Sequence, residues 1–374
     1  NEAVARRDID IDAIYNTSAV PQSLLQTSNL SYMFSYSDDA RVEMASTAGD
    51  ITLSNSVALS KFATMNFPGS ETSSAMMFSV LPPQFAASAV SGSIYIDNSM
   101  VLFPSAKAQL HLLAKNDVLT RATDTTYVIQ SDADPALLPN LDNPALKDLP
   151  WNLIYEQYFD VVGTGTGLHA VTPVHLKNLS AATIVAADGD INGQALLTFY
   201  TAQKLYASAG GDITNTGFAI QNVNTFDTSV IKAKGDIDYK LTITGQGTLQ
   251  TMSNFGIKVD GPGRLDVIAG GNVGFGASDG ILSQGDNKNP GLNDNGADIS
   301  ILAGIDSELA YAQFVSRYLA YNSQAAGASS DRDYTDTLVK FVLSDRFAGD
   351  AVALAAQIAG QPVASKEELT TLFA

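Results

Sequence analysis

Apolar residues at alternate positions, followed by Ala, a spacer, Gly, Asp or Asn, and then Ile or Val, recur along much of this chain. The fullest copies are Leu205, Ala207, Ala209, Gly211, Asp212, Ile213 and Leu265, Val267, Ala269, Gly271, Asn272, Val273. Thr183, Val185, Ala187, Gly189, Asp190, Ile191 and Ser229, Ile231, Ala233, Gly235, Asp236, Ile237 keep the frame with a polar first position. In Leu110, Leu112, Ala114, Asn116, Asp117, Val118 the Gly slot holds Asn, and around Gly49, Asp50 and Ile51 only the second half is clear. Fainter copies lie at Ala5, Arg7, Asp8, Ile9, at Gly92, Ser93, Ile94, and at Ile299, Ile301, Ala303, where Ile305 and Asp306 close the last one. A period of two is that of a strand with one buried face. Gly followed by Asp offers a turn in which positive φ is tolerated and a side chain can bond the backbone. So small a unit cannot bury its own apolar face, and its copies must stack. The pattern predicts an all-β solenoid.

The Gly slots fall at 7, 49, 92, 116, 189, 211, 235, 271 and 305. Steps of 22 to 24 residues read as one coil, steps of 42 and 43 as two coils with a degenerate copy between them, and the rest as coils carrying insertions. That gives roughly 11 coils and, at about 4.8 Å per coil, a rod of about 50 Å. Residues 1–118 read as irregular coils with a projecting loop at 61–90, which carries Phe67-Pro68-Gly69 and Pro82-Pro83; such proline pairs do not sit inside central strands. Residues 119–180 form a Pro-rich insertion, with Pro135, Pro139, Pro144, Pro150 and Pro173. Regular coils fill 181–305. The apolar period then becomes helical, with Tyr311, Phe314, Val315, Tyr318 and Leu319 on one face and Leu338, Phe341 and Val342 on another. Asp350 can open a helix that Gly360 ends, and Ser365 with Glu368 makes a capping box. Residues 306–374 are thus expected to be an α-helical cap over the unpaired edge of the last coil.

Composition narrows the partners. The 374 residues hold 21 Lys and Arg against 39 Asp and Glu, a net charge of −18, so nucleic acid and anionic lipid surfaces, which call for a basic footprint, are not the expected partners. No stretch approaches the roughly 18 apolar residues of a membrane span. The absence of cysteine removes disulfides, thiolate nucleophiles and thiolate zinc sites. Asn1 opens in mid-repeat, without the charged start and apolar run of a signal peptide, and the chain reads as part of something larger.

Candidate chemistry is sparse. His111 sits between Leu110 and Leu112 in an outward slot and reads as part of a solvated strand face. His169 and His175 share the insertion and can approach each other, as loop histidines more readily than as a metal pair. Trp151, Tyr155 and Tyr158 make a helically spaced aromatic stripe that anchors the insertion; with His169 and His175 they are the candidate binding residues. Asp50, Asp117, Asp190, Asp212 and Asp236 all follow the Gly slot, so a repeated turn explains them better than acid/base catalysis does. Asp132 and Asp134 are weak ligands at most. The oxygen-rich stretch around Asp286, Asn289, Asp294 and Asp298 reads first as a turn cluster and second as a Ca²⁺ site, the one cofactor its hard ligands suit. Gly163-Thr164-Gly165-Thr166-Gly167 lacks the Lys-Ser/Thr of a phosphate loop. No catalytic constellation emerges, and a non-enzymatic role is expected.

The run from Gly261-Pro262-Gly263-Arg264-Leu265 to Gly270-Gly271-Asn272-Val273, with Gly280-Ile281, Asn289-Pro290 and Gly296-Ala297-Asp298-Ile299, resembles the C-terminal conserved region of filamentous-haemagglutinin-like exoproteins. Leu102-Phe103-Pro104-Ser105 and Ser131-Asp132-Ala133-Asp134-Pro135 are similar to two further signatures of that region. The resemblance covers most of 90–305. It implies a right-handed parallel β-helix in a large Gram-negative exoprotein, exported through an outer-membrane two-partner secretion transporter and acting outside the cell or on its surface in adhesion or biofilm. The family's N-terminal secretion domain is missing, and Asn289-Pro290 lies at the wrong end of the rod to stand for its motif. The leading expectation is an adhesin segment whose insertions at 61–90 and 119–180 contact a host or bacterial surface glycan or protein. A carbohydrate-active β-helix enzyme, a polysaccharide lyase or hydrolase, would instead need carboxylates from neighbouring coils about 5 to 9 Å apart in one groove. A purely structural fibre subunit would need complementary end faces.

Overall fold

The computed structural model describes residues 2–12, 14, 20–23, 26–32, 36–54, 80–122, 125–138, 145–146, 169–240, 255–276, 278–286, 289 and 291–305. The described residues are all-β, with two long parallel sheets and no helix. The first sheet has nine strands, which lie side by side in chain order: Glu2–Ala5, Arg41–Ser46, Gln84–Ala89, Gln109–Ala114, Ala182–Ala186, Leu205–Ala209, Thr228–Ala233, Arg264–Ala269 and Asp298–Leu302. Each of the first eight leads through a short turn into a strand of the second, 13-stranded sheet.

Two parallel ladders make up the second sheet and merge at the long strands Ile191–Thr201 and Ile213–Gln221. One begins Ile9–Ile11, Ile51–Leu53, Ile94–Ile96, Val118–Thr120 and ends Ile237–Asp238, Val273–Gly274. The other begins Val80–Leu81, Met100–Leu102, Thr126–Gln130 and ends Ile257–Asp260, Ile281–Gln284. The residue that opens the strand after each turn pairs with its counterpart in the next rung. This gives the column Ile9, Ile51, Ile94, Val118, Ile191, Ile213, Ile237, Val273. β-Branched side chains suit such a column because their restricted χ1 costs little on a pleated surface. Ile51, Ile94, Val118, Ile191 and Ile237 are wholly inaccessible, and Phe199 stacks on its register partner Phe218 at 5.9 Å.

The column corrects the coil count. Ile9 pairs directly with Ile51, and Ile51 with Ile94, so steps of 42 and 43 residues are single rungs with long excursions, not two coils. The main ladder accordingly has nine members and not eleven. Two expected loops also shrink. Val80–Leu81 and Gln84–Ala89 are ladder strands, with Pro82 and Pro83 buried at the corner between them, and Thr126–Gln130 is a ladder strand within the stretch read as insertion. A small antiparallel sheet joins Ala145–Leu146 to Gln26–Tyr32 and then Val20–Ser23. Residues 306–374 form a second compact unit, which lies outside the described residues together with the helical cap expected there.

The turns are joined by a ladder of side-chain hydrogen bonds. The Asp50 amide donates to Asp8 Oδ1 at 2.9 Å and the Ser93 amide to Asp50 Oδ1 at 2.8 Å. Asp117 donates to Ser93 Oγ, Asp190 to Asp117 Oδ1, Asp212 to Asp190 Oδ1, Asp236 to Asp212 Oδ1 and Asn272 to Asp236 Oδ1, at 3.3, 2.9, 2.6, 2.8 and 2.6 Å. The aspartates therefore serve the turn, as their spacing suggests. The glycines before them do not serve it as expected. None of Gly49, Gly92, Gly189, Gly211, Gly235 and Gly271 has positive φ. Glycine is required because the carboxylate of the preceding rung passes over its α-carbon: a Cβ on Gly211, Gly235 or Gly271 would overlap Oδ1 of Asp190, Asp212 or Asp236. The exceptions follow the same rule. Arg7 precedes the first link, and Asn116 follows a rung whose ladder residue is the shorter Ser93. The last turn departs from the pattern, because Gly304, at φ 71°, donates to the Gly271 carbonyl while Ile305 donates to Ala269.

Candidate functional site

Two strands of the second sheet end in Ile-Gln, at Ile129-Gln130 and Ile220-Gln221, and beyond the first the chain turns through Ser131, Asp132 and Ala133. Asp132 is 1% exposed. A buried carboxylate costs several kcal/mol unless it is well paired, and this one is. Its Oδ2 lies 3.1 Å from His169 Nδ1 and accepts Gln221 Nε2 at 3.0 Å and Asn289 Nδ2 at 2.7 Å. Asn289 also donates to Gln221 Oε1 at 3.2 Å, and its own Oδ1 accepts the Gly291 amide at 3.0 Å. An antiparallel bridge joins Ala133 to His169, which pins the two flanks of residues 139–168 together.

The ring of His175 is fully buried beside this group, with Nε2 3.5 Å from the Ser131 carbonyl. Burial pushes its pKa down, and the Asp132 charge and the Ser131 carbonyl oppose that shift without reversing it. Asp132 Oδ1, His175 Nδ1 and both amide atoms of Gln130 are buried and meet no protein partner among the described residues. From the other side Gly291 presses on the same corner, where a Cβ would meet the Ala170 carbonyl and Pro173 Cδ at 3.1 Å each. With its carboxylate and the His169 imidazole both nearly inaccessible, the pair works as an internal tie between segments and not as a surface that meets a partner.

His169 and His175, read as binding residues, are thus brought together around Asp132. Trp151, Tyr155 and Tyr158 lie outside the described residues. The four residues read as a Ca²⁺ set are split. Asn289 is buried with both ends of its amide engaged at Asp132 and Gly291, whereas Asp286, Asp294 and Asp298 are exposed. No group of three or more His, Cys, Asp or Glu suited to a metal ion occurs among the described residues. His111 is half-buried, not fully solvated, and its pKa is lowered by that burial. The residues that sequence reasoning missed are Asp132 as hub, with Gln130 and Gln221. The one legible signal for the two glutamines is the Ile-Gln pair that closes both strands.

No family model, curated protein or solved structure matches the chain.

Proposed function

We propose that the chain is a rod segment of a secreted or cell-surface adhesin of a Gram-negative bacterium, exported through an outer-membrane two-partner secretion transporter. Its parallel ladders are the faces of a right-handed β-helix, and residues 306–374 are a helical cap. The handedness follows the general rule that parallel crossovers are right-handed in about 98% of cases. The observation that carries the reading is the unbroken register of nine strands in one sheet, with long excursions leaving the rungs without disturbing it. Nine rungs at about 4.8 Å make a ladder of about 40 Å. A stiff scaffold that displays loops is the arrangement expected of a binding rod. The turn aspartates bond the backbone of the next rung, which favours a binding role over acid/base hydrolysis.

The contact surface assigned to the excursions is the segment 139–168, whose flanks are pinned at Asp132 and His169 and which carries Trp151, Tyr155 and Tyr158. Its test is a glycan-array and whole-cell binding comparison between the intact chain and a variant in which a short Gly-Ser linker replaces 139–168. Loss of binding with an unchanged β-rich circular-dichroism spectrum is the expected result. Equal binding by both proteins would overturn the assignment.

A further inference from the structure

We propose that the Asp132 corner is an acid-sensitive latch, closed while His175 is uncharged and released when that imidazole takes up a proton. Segments up to 157 residues apart meet there on one carboxylate oxygen: His169 from the insertion, Gln221 from a ladder strand and Asn289 from the loop before the last rung. The ring of His175 completes the corner, fully buried. A neutral imidazole donates from one nitrogen only, so an Nδ1 without a protein partner is tolerated as a bare acceptor. A protonated ring carries donors at both nitrogens and a charge out of reach of bulk water, and no described protein acceptor faces Nδ1.

The surrounding titratable groups do not supply that acceptor. His169, Gln221 and Asn289 all bond Asp132 on Oδ2. Asp132 Oδ1 and His175 Nδ1 each meet no partner among the described residues and so do not pair with each other, and the carboxylate charge opposes the effect of burial on His175 without reversing it. Asp134 bonds the Ala136 amide, and Lys177 is exposed two residues beyond His175. Asp260 is the register partner of Gln221, and Asp286 offers its backbone carbonyl to the Asn289 amide. The pKa of His175 is held below the ordinary 6.5, chiefly by burial. The sign follows: the corner has its full stability above about pH 6.5 and loses it as pH falls from there toward the lowered folded-state value. Release frees 169–178 from Asn289 and 291–297 and leaves the rungs in place, because the aspartate ladder shares no side chain with the corner.

Hydrogen exchange on the full chain at pH 7.5 and 5.5, corrected for intrinsic rates, tests this. Protection in 169–178, 289 and 291–297 is expected to fall by up to about tenfold at pH 5.5, while that in 205–237 holds. His175→Gln keeps an amide donor near the Ser131 carbonyl but cannot titrate, and is expected to show equal protection at both pH values. Loss of protection in this variant as large as in the wild type would overturn the latch. Imidazole NMR of the wild type supplies an independent reading, since the chain has only three histidines and His111→Gln assigns one of them. A His175 signal that titrates in step with the loss of protection is expected. One that titrates while protection stays constant would also overturn the proposal.

Discussion

An Asp carboxylate from one rung lies over the α-carbon of the next, and this contact sets the residue-scale rules of the molecule. Gly211→Ala places a methyl group against Asp190 Oδ1 and is expected to cost about 1–3 kcal/mol, the usual range for overpacking, measured by urea denaturation. Adding Asp190→Ser and changing position 211 to Asn recreates the pair found naturally at Ser93 and Asn116, and should recover most of the loss. Asp212→Ala removes the acceptor of the Asp236 amide. A cost of about 1–2 kcal/mol and faster exchange of that amide are expected, whereas Asp212→Asn, which keeps the acceptor oxygen, should cost less. The slot and its aspartate were legible in the sequence because they recur. The reason for glycine was not, since positive φ is a property of one residue while the overlap involves two residues on different rungs.

At the scale of elements, the strands owe their register to the column of β-branched residues that begins each one after the turn. Ile213→Ala should cost about 2–5 kcal/mol, because its side chain is 1% exposed between Ile191 and Ile237 and neighbouring rungs cannot close the gap. Thermal or urea denaturation checks it. Lengthening an excursion should cost far less, as loop closure grows only with the logarithm of length. A four-residue Gly-Ser insertion after Leu138 is expected to shift the urea midpoint little. The same insertion after Ala207, within a strand, should prevent folding of the ladder. Sequence spacing located every turn from Arg7 to Gly271, yet it misjudged how many rungs separate them. Chain length between two slots does not distinguish a missing rung from a long excursion; only the pairing of Ile9 with Ile51 does. The Pro82-Pro83 pair misled for a related reason: it sits at a corner, where no ladder amide is demanded.

For the whole molecule, the candidate site illustrates the limit of sequence reading. Asp132 and Asn289 are 157 residues apart, and neither lies in a repeat slot, so nothing periodic links them. His169 and His175 could be guessed as neighbours because one insertion carries both, but the carboxylate that bonds His169 and lies beside His175 could not. The net charge of −18 also acts at this scale: repulsion between like-charged copies opposes association, and raising ionic strength should weaken that repulsion. Static light scattering from low to high salt is expected to show the second virial coefficient fall. The claim beneath all of these is that every step of the repeat is one rung of a parallel ladder, including the step from Ile51 to Ile94. The chain has no cysteine, so Thr52→Cys with Tyr95→Cys places a single thiol pair on register partners. Adjacent rungs bring the two α-carbons to about 4.8 Å, within the usual range for a disulfide, whereas two rungs would separate them by about 9.6 Å, beyond it. Oxidation of that double variant, followed by mass spectrometry of the digest, should find an intramolecular disulfide joining the two substituted positions. Its absence under conditions that oxidise a thiol pair placed by His111→Cys with Thr183→Cys would contradict the single-rung step.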